Sequence, residues 1–141
     1  MAIIDGFRGE LEWESAATRS MLERLPEDRL DWRPHPKSFT MRQLASHLAD
    51  VSRWVVPLLT QTEATVDPAT HLPWECTGVT DLLARYDENI RAALAAMDNV
   101  SDEHMLEYWS LKLGHHVAFT MPRAAVMRGM IMNHTIHHRA Q

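Results

Sequence analysis

Thr120-Met121-Pro122-Arg123-Ala124-Ala125-Val126-Met127-Arg128-Gly129-Met130-Ile131-Met132-Asn133-His134-Thr135-Ile136-His137-His138-Arg139-Ala140-Gln141 is the stretch on which the reading of the whole chain turns. Thr120 reads as a helix cap and Pro122 as a first-turn proline, where the missing N–H costs nothing. Val126/Met127, Met130, Ile131, His134 and His138 then recur at steps of three and four, the spacing of one helical face. His134 and His138 are four residues apart, so they stand about 40° apart around the axis and one turn along it. Two imidazoles at that spacing can share one metal, as in the H-E-x-x-H arrangement. The intervening Glu is absent here, so a metalloprotease base is missing. His137 lies about 100° from His138 and is expected to point to a neighbouring helix or to solvent.

Working outward, a second helix is expected from Thr40. Thr40 and Gln43 have capping-box spacing, and Leu44, His47, Val51, Trp54 and Leu58 form a core-like stripe. Pro57 should kink or end this helix. Before it, Leu30 to Ser38 holds Pro34 and Pro36, which push their preceding residues out of the helical region. A first helix is expected over residues 5–25, with Phe7, Leu11, Glu14/Ser15, Thr18, Leu22 and Leu25 along one stripe and Pro26 as its stop. Residues 61–78 read as a loop, with Pro68, Pro73 and Gly78. A third helix is expected over 80–98, capped by Thr80 and carrying Leu82, Leu83, Tyr86, Ile90, Leu94 and Met97. Residues 99–120 read as irregular, with a short turn at Ser101-Asp102-Glu103 and a small hairpin of Leu111, Leu113, Val117 and Phe119 around Gly114. Four long helices in one domain spanning residues 1–141 imply an all-α four-helix bundle.

The chain has 141 residues, 45% hydrophobic and 23% charged, an ordinary globular composition. Fourteen Lys+Arg against 19 Asp+Glu give a formal charge of −5, so binding to phosphate backbones is not expected. No apolar run is longer than that of Trp54 to Leu59, which is far short of a membrane span. The first residues lack the basic region and apolar core of a secretory signal. Cys76 is alone, so no internal disulfide forms. These features point to a soluble, cytoplasmic protein without nucleic-acid or membrane partners. Phosphate loops, G-x-G-x-x-G and G-x-S-x-G are absent, which leaves nucleotide-dependent chemistry and serine hydrolysis without support.

His47 lies on the stripe of the second helix, and facing helices of bundles are where metal sites are built. Each histidine has two readings, a satisfied half-buried side chain or a ligand. Three neutral imidazoles buried together without a cation would need partners for every polar atom. His47, His134 and His138 as one triad would leave positions for water or substrate, the arrangement of a catalytic site.

The ending Asn133-His134-Thr135-Ile136-His137-His138-Arg139-Ala140-Gln141 resembles the C-terminal signature of the DinB-like (damage-inducible) family, N-H-x-x-H-H-R-[GA]-Q. Leu44-Ala45-Ser46-His47-Leu48-Ala49-Asp50 followed by Trp54 matches the family's other recurring block, as does Leu25-Pro26-Glu27-Asp28-Arg29-Leu30 with Arg33-Pro34. The resemblance covers about residues 8–141. It implies an up-down-down-up four-helix bundle, often homodimeric, among thiol S-transferase-like proteins. It also implies a divalent metal on His47, His134 and His138, and a further segment past Gln141 that is either trimmed or absent here. A cation on three neutral His keeps its charge, so a coordinated small thiol would ionise and attack an electrophilic substrate. The alternatives are hydrolysis by metal-bound hydroxide and a non-catalytic metal-holding bundle. Imidazoles suit Zn, Ni, Fe or Cu, with Zn or Ni preferred.

Other residues carry two readings each. Asp50 either orients His47 from behind or is a solvated carboxylate. His115 and His116 either line the pocket mouth or form a solvated turn. Arg139 either grips a carboxylate of a thiol cofactor or makes a salt bridge. Met127, Met130 and Met132 read as adaptable core filling rather than a soft-metal site. Cys76, beside Trp74 and Glu75, has no basic neighbour in sequence and reads as a bystander.

Overall fold

The computed structural model describes residues 1–141. Helix α1 spans Ile3–Leu22 and buries Ile4, Phe7, Leu11, Thr18 and Leu22, the expected stripe. It ends three residues before the expected limit, in the turns that lead to Pro26. A 3-10 turn, Glu27–Arg29, and the proline-rich connection lead to α2, Met41–Val51. Thr40 caps α2 as read: its hydroxyl accepts from the Gln43 N–H, and the Gln43 side-chain oxygen accepts from the Thr40 N–H. A 3-10 turn at Ser52–Trp54 separates α2 from α3, Val55–Thr60. The break falls on the three residues before Val55, where the Pro57 ring would crowd the carbonyl one turn back.

Helix α4 spans Val79–Ala96 and buries Leu82, Tyr86 and Ala93. Its cap is not Thr80. Both Asp81 carboxylate oxygens accept backbone N–H bonds, from Thr77 and Gly78, at 2.8 Å each. A carboxylate in the first turn also meets the positive end of the helix dipole. Helix α5, Asp102–Leu106, is capped by the Ser101 hydroxyl.

A three-stranded sheet corrects the all-α expectation. Strands β1 (Glu63–Val66), β2 (Tyr108–Leu113) and β3 (His116–Pro122) lie in the order β1-β2-β3. The expected hairpin is real and larger than read: β2 and β3 are antiparallel with a bulge at Leu111/Lys112, and Gly114 turns it at a φ of +59°. Strand β1 occupies part of the expected 61–78 loop and pairs parallel to β2, Glu63 opposite Ser110. Four residues of alternating burial are too short to stand out from a loop without the partner strand.

The last helical run starts at Arg123, not at Thr120, because β3 continues to Pro122. It has three parts: α6 (Arg123–Val126), a π-helical stretch (Met127–Asn133) and α7 (His134–Ala140). Arg123 is buried, and its guanidinium donates to the carbonyls of Leu58 and Gln61, which closes the end of α3. The larger core joins α1, α3, α5, β2 and the last run through Phe7, Leu58, Met105, Trp109, Met127 and Ile131. A smaller one joins α1, α2 and α4 through Leu22, Ala45, Leu48, Ala49, Leu82 and Tyr86. Met127 and Met132 are fully buried and Met130 packs against them, so the methionines fill the core as read. No helix is long and apolar enough to cross a membrane.

The capping observation is directly testable. Asp81→Ala should lower stability by about 1 kcal/mol, whereas Thr80→Ala should change it by less than about 0.5 kcal/mol. Urea denaturation of the two variants beside wild type separates them.

Candidate metal centre

Three imidazoles meet where α2 passes α7. The ring centroids of His47, His134 and His138 lie 5.0, 4.6 and 4.6 Å apart pairwise. One ligand nitrogen from each falls within 4.8 Å of the others. The Nε2 atoms of His47 and His134 are 3.1 Å apart.

The helices place these rings differently from the simple stripes. The buried positions of α2 are Ala45, Ser46, Leu48, Ala49 and Val51. Its core face thus combines the small residues Ala45, Ser46 and Ala49 with Leu48 and Val51, and His47 stands beside that face. The π-helical stretch acts similarly on the last run. Its i→i+5 bonds hold about one extra residue in the turn, which rotates α7 by roughly one residue, about 100°. The core stripe consequently passes through Met127, Ile131 and Thr135, and His134 and His138 emerge half-buried on its flank. The structure brings the expected triad together, but off the core and at a surface cleft.

Two of the rings have fixed tautomers. His134 Nδ1 lies 3.1 Å from the Met130 carbonyl oxygen, and His138 Nδ1 lies 2.8 Å from Gln141 Oε1. Each Nδ1–H donates to its oxygen, so each Nε2 carries a lone pair. Hydrogen bonds of this kind orient ligating imidazoles and raise their basicity. Two Nε2 lone pairs at 3.1 Å would repel, so a proton on His47 or a shared cation must lie between them. Nitrogen ligands about 2.0–2.1 Å from one Zn²⁺ can be at most about 4 Å apart, and the His47–His134 separation fits. Three imidazole nitrogens with two backed by oxygen acceptors suit a divalent transition metal.

Burial depresses the basicity of His47, and the neighbouring His138 and His134 add to this, with Asp50 opposing. His134 is depressed for the same first reason and by His138, with the Met130 carbonyl opposing. Both rings are therefore neutral, hence ligand-competent, near neutral pH.

A cleft of about 500 Å³ opens beside His47 and His134. Trp54, Trp74, Val66, Leu111 and Leu113 supply its apolar wall, and Gln43, Arg53, His71, Glu75 and Arg85 its polar groups. The sheet thus contributes directly to the site. Leu111 and Leu113, not His115 or His116, reach the cleft from the hairpin, and both histidines are exposed at the turn.

Several other residues resolve between their two readings. Asp50 neither contacts His47 nor lies in solvent: it pairs with Arg85 at 2.6 and 3.1 Å and accepts from Asn89. Arg85 also lies 4.5 Å from the Trp74 ring centroid. Arg139 makes the interhelix salt bridge, 2.5 Å from Glu14, with further bonds to the Glu14 carbonyl and Thr18. His137 is exposed, and its ring centroid lies 4.9 Å from that of His138 in an edge-on arrangement. Cys76 is buried, its N–H bound to Ser46 and its carbonyl to Arg42. The oxygen partners Met130 and Gln141 escaped the sequence reading. Gln141 had a usable signal, since it follows His138 by three residues.

The depressed histidines carry a pH signature. Their ordinary value is 6.5. Above it, folded and unfolded chains hold the same neutral rings. Below it, the unfolded chain takes up protons that the folded chain resists, so stability falls as pH drops through about 6.5. Urea unfolding of chelator-treated protein from about pH 7 to 5 should show this fall. A His47→Gln/His134→Gln variant should show a shallower one; an unchanged slope would place the acid sensitivity elsewhere.

Comparison with known proteins agrees with this architecture. A DinB-like protein from Bacillus cereus ATCC 10987 superposes with a TM-score of 0.70 at 21% identity, over 97% of this chain and 86% of that one. At that identity the likeness concerns the fold. No curated protein matches the chain. The model of the DinB superfamily matches residues 10–141, nearly the whole length. With the histidine blocks lying inside that match, the chain belongs to the DinB superfamily.

Proposed function

We propose that His47, His134 and His138 hold one divalent cation, Zn or Ni, in a metal-dependent S-transferase that joins the sulfur of an intact small thiol to a small electrophilic substrate. The observation that carries the metal part is the pair of locked tautomers: His134 and His138 both spend their Nδ1–H on oxygen, which leaves each Nε2 a lone pair, and that of His134 lies 3.1 Å from His47. A cation held by three neutral imidazoles lowers the pKa of a thiol or water that reaches it. The chain's own residues do the rest. Met130 and Gln141 hold two rings in place, and the cleft walls exclude water from one side.

The thiol reading rests on the family resemblance, and it is supported by the engagement of both lining carboxylates, Asp50 and Glu75, with other side chains. Asp50 is committed to Arg85, and Glu75 lies beside Gln43 at 3.2 Å. Hydrolysis would need a general base near the cation, and neither carboxylate contacts the cluster. The helical frame assumed is the up-down-down-up four-helix bundle, with α1, α2–α3, α4 and the last run as its four members; the packing of α2 on α4 and α7, and of α1 on α4, supports it. A homodimer is part of the same proposal. Trp13 stands 77% exposed on α1, on the side that also carries the exposed Gly6 and Gly9.

Elemental analysis of untagged protein should find about one transition metal per chain, and His47→Ala and His134→Ala should each lose it, because removing one of three ligands costs most of the affinity. Wild-type protein that stays metal-free after incubation with Zn and Ni overturns the proposal. Sedimentation should give a dimer that Trp13→Glu dissociates; a monomeric wild type removes the homodimer alone.

A further inference from the structure

The cleft has a direction. Helix α2 and the turn after it run along its floor and present Gln43, His47, Asp50 and Arg53 to it in order. At one end, the Gln43 amide donates to Glu75, whose carboxylate forms no salt bridge but attracts the Arg42 guanidinium from a longer distance. In the middle stands His47 with His134 beside it, while His138 backs the pair from the neighbouring pocket. Asp50 and Arg85 also line the middle, but they neutralise each other at 2.6 Å. At the other end lies Arg53, which forms no ion pair with any carboxylate. Its guanidinium carbon sits 5.7 Å from the Trp54 ring centroid. From His47, the negative end is one turn away, about 6 Å, and the positive end six residues away, about 9 Å, at 1.5 Å per residue.

We infer that the cleft binds a small ligand lengthwise along α2, with its reactive end at the three histidines and an oxyanion at its far end on Arg53. This deepens the metal reading given above and rests on it. An unpaired guanidinium at the rim offers a planar fork that matches a carboxylate or phosphate. A neutral stretch of ligand about 9 Å long would lie over Trp54, Leu111 and Leu113 between the two ends. Glu75 repels a second anion at the opposite end, so the charge pattern also sets which way round the ligand enters. Long-range attraction to Arg53 should weaken with salt, since the residue is exposed.

Three probes of one length isolate the tail: mercaptohexanoate, mercaptohexanol and aminohexanethiol, which end in an anion, a neutral group and a cation. They are titrated into cobalt-substituted full-length protein, with binding read from the visible spectrum. Wild type should bind mercaptohexanoate about five- to tenfold tighter than mercaptohexanol, and aminohexanethiol weakest. Arg53→Gln should erase the difference between the first two while keeping the same metal content and the same affinity for mercaptohexanol. Arg53→Glu should invert the order of the charged pair. Equal affinity of wild type for the three tails overturns the Arg53 assignment and leaves the metal centre standing. A protein that takes up no cobalt overturns both, and metal content measured on the same samples tells the two failures apart.

Discussion

The π-helical turn at Met127–Asn133 sets what the last helical run can do. One α-helix cannot send the same residues both into the core and out to a cleft. With regular i→i+4 bonding, Met127, Ile131, His134 and His138 would share a face, and the two imidazoles would be buried among methionines. Burying neutral imidazoles without partners for their nitrogens is costly. The wider turn rotates α7, so that Thr135 takes the buried position and Arg139 turns to Glu14 on α1. The histidines move to the flank, where α2 meets them. π-Helical turns are often found at functional sites, and here the mechanical reason is visible: the extra residue separates the packing face from the chemical face.

Helix α2 meets the same demand with small residues. Ala45 and Ala49 let it lie close to α4 beside Leu82 and Tyr86, and Asn89 on α4 donates to the Ala49 carbonyl. The large side chains Trp54 and Leu44 are left partly exposed on neighbouring faces. Close packing on one side gives His47 a rigid base. The Asp50–Arg85 pair, with Arg85 stacked on Trp74, then ties α2 to α4 and to the loop before it. That network removes Asp50 from the cluster, and so the charge left in the cleft is carried by Arg53 and Glu75.

The sheet is an attachment with consequences for the site. Strands β1 and β2 pair in parallel although 41 residues and helices α4 and α5 lie between them. The pairing brings Val66, Leu111 and Leu113 over the floor formed by α2 and closes one side of the cleft. Arg123 anchors the hairpin's exit by covering the last carbonyls of α3. The same side chain therefore starts the final helical run and ends α3, which couples the hairpin and the histidine helix to one point.

By itself the sequence determined whatever depends on neighbours within about one helical turn. The α1 stripe, the Thr40–Gln43 capping box, the hairpin at Gly114, the methionine core and the i,i+4 pair His134/His138 were all legible, because helical periodicity and capping act over three or four residues. The identity of the three clustered histidines was legible too, through local motifs and their resemblance to a family. Tertiary structure alone decided the rest. Strand β1 exists because β2 lies beside it, and Asp81 rather than Thr80 caps α4 because the loop before it folds back onto its carboxylate. Arg139 pairs with Glu14, 125 residues away, and the phase of α7 follows the core it packs on. These outcomes are settled by contacts between distant segments, whose free energies outweigh the small differences between local conformations. The sequence could therefore name the ligands, but only the packed chain could place them outside the core and give the cleft beside them its two charged ends.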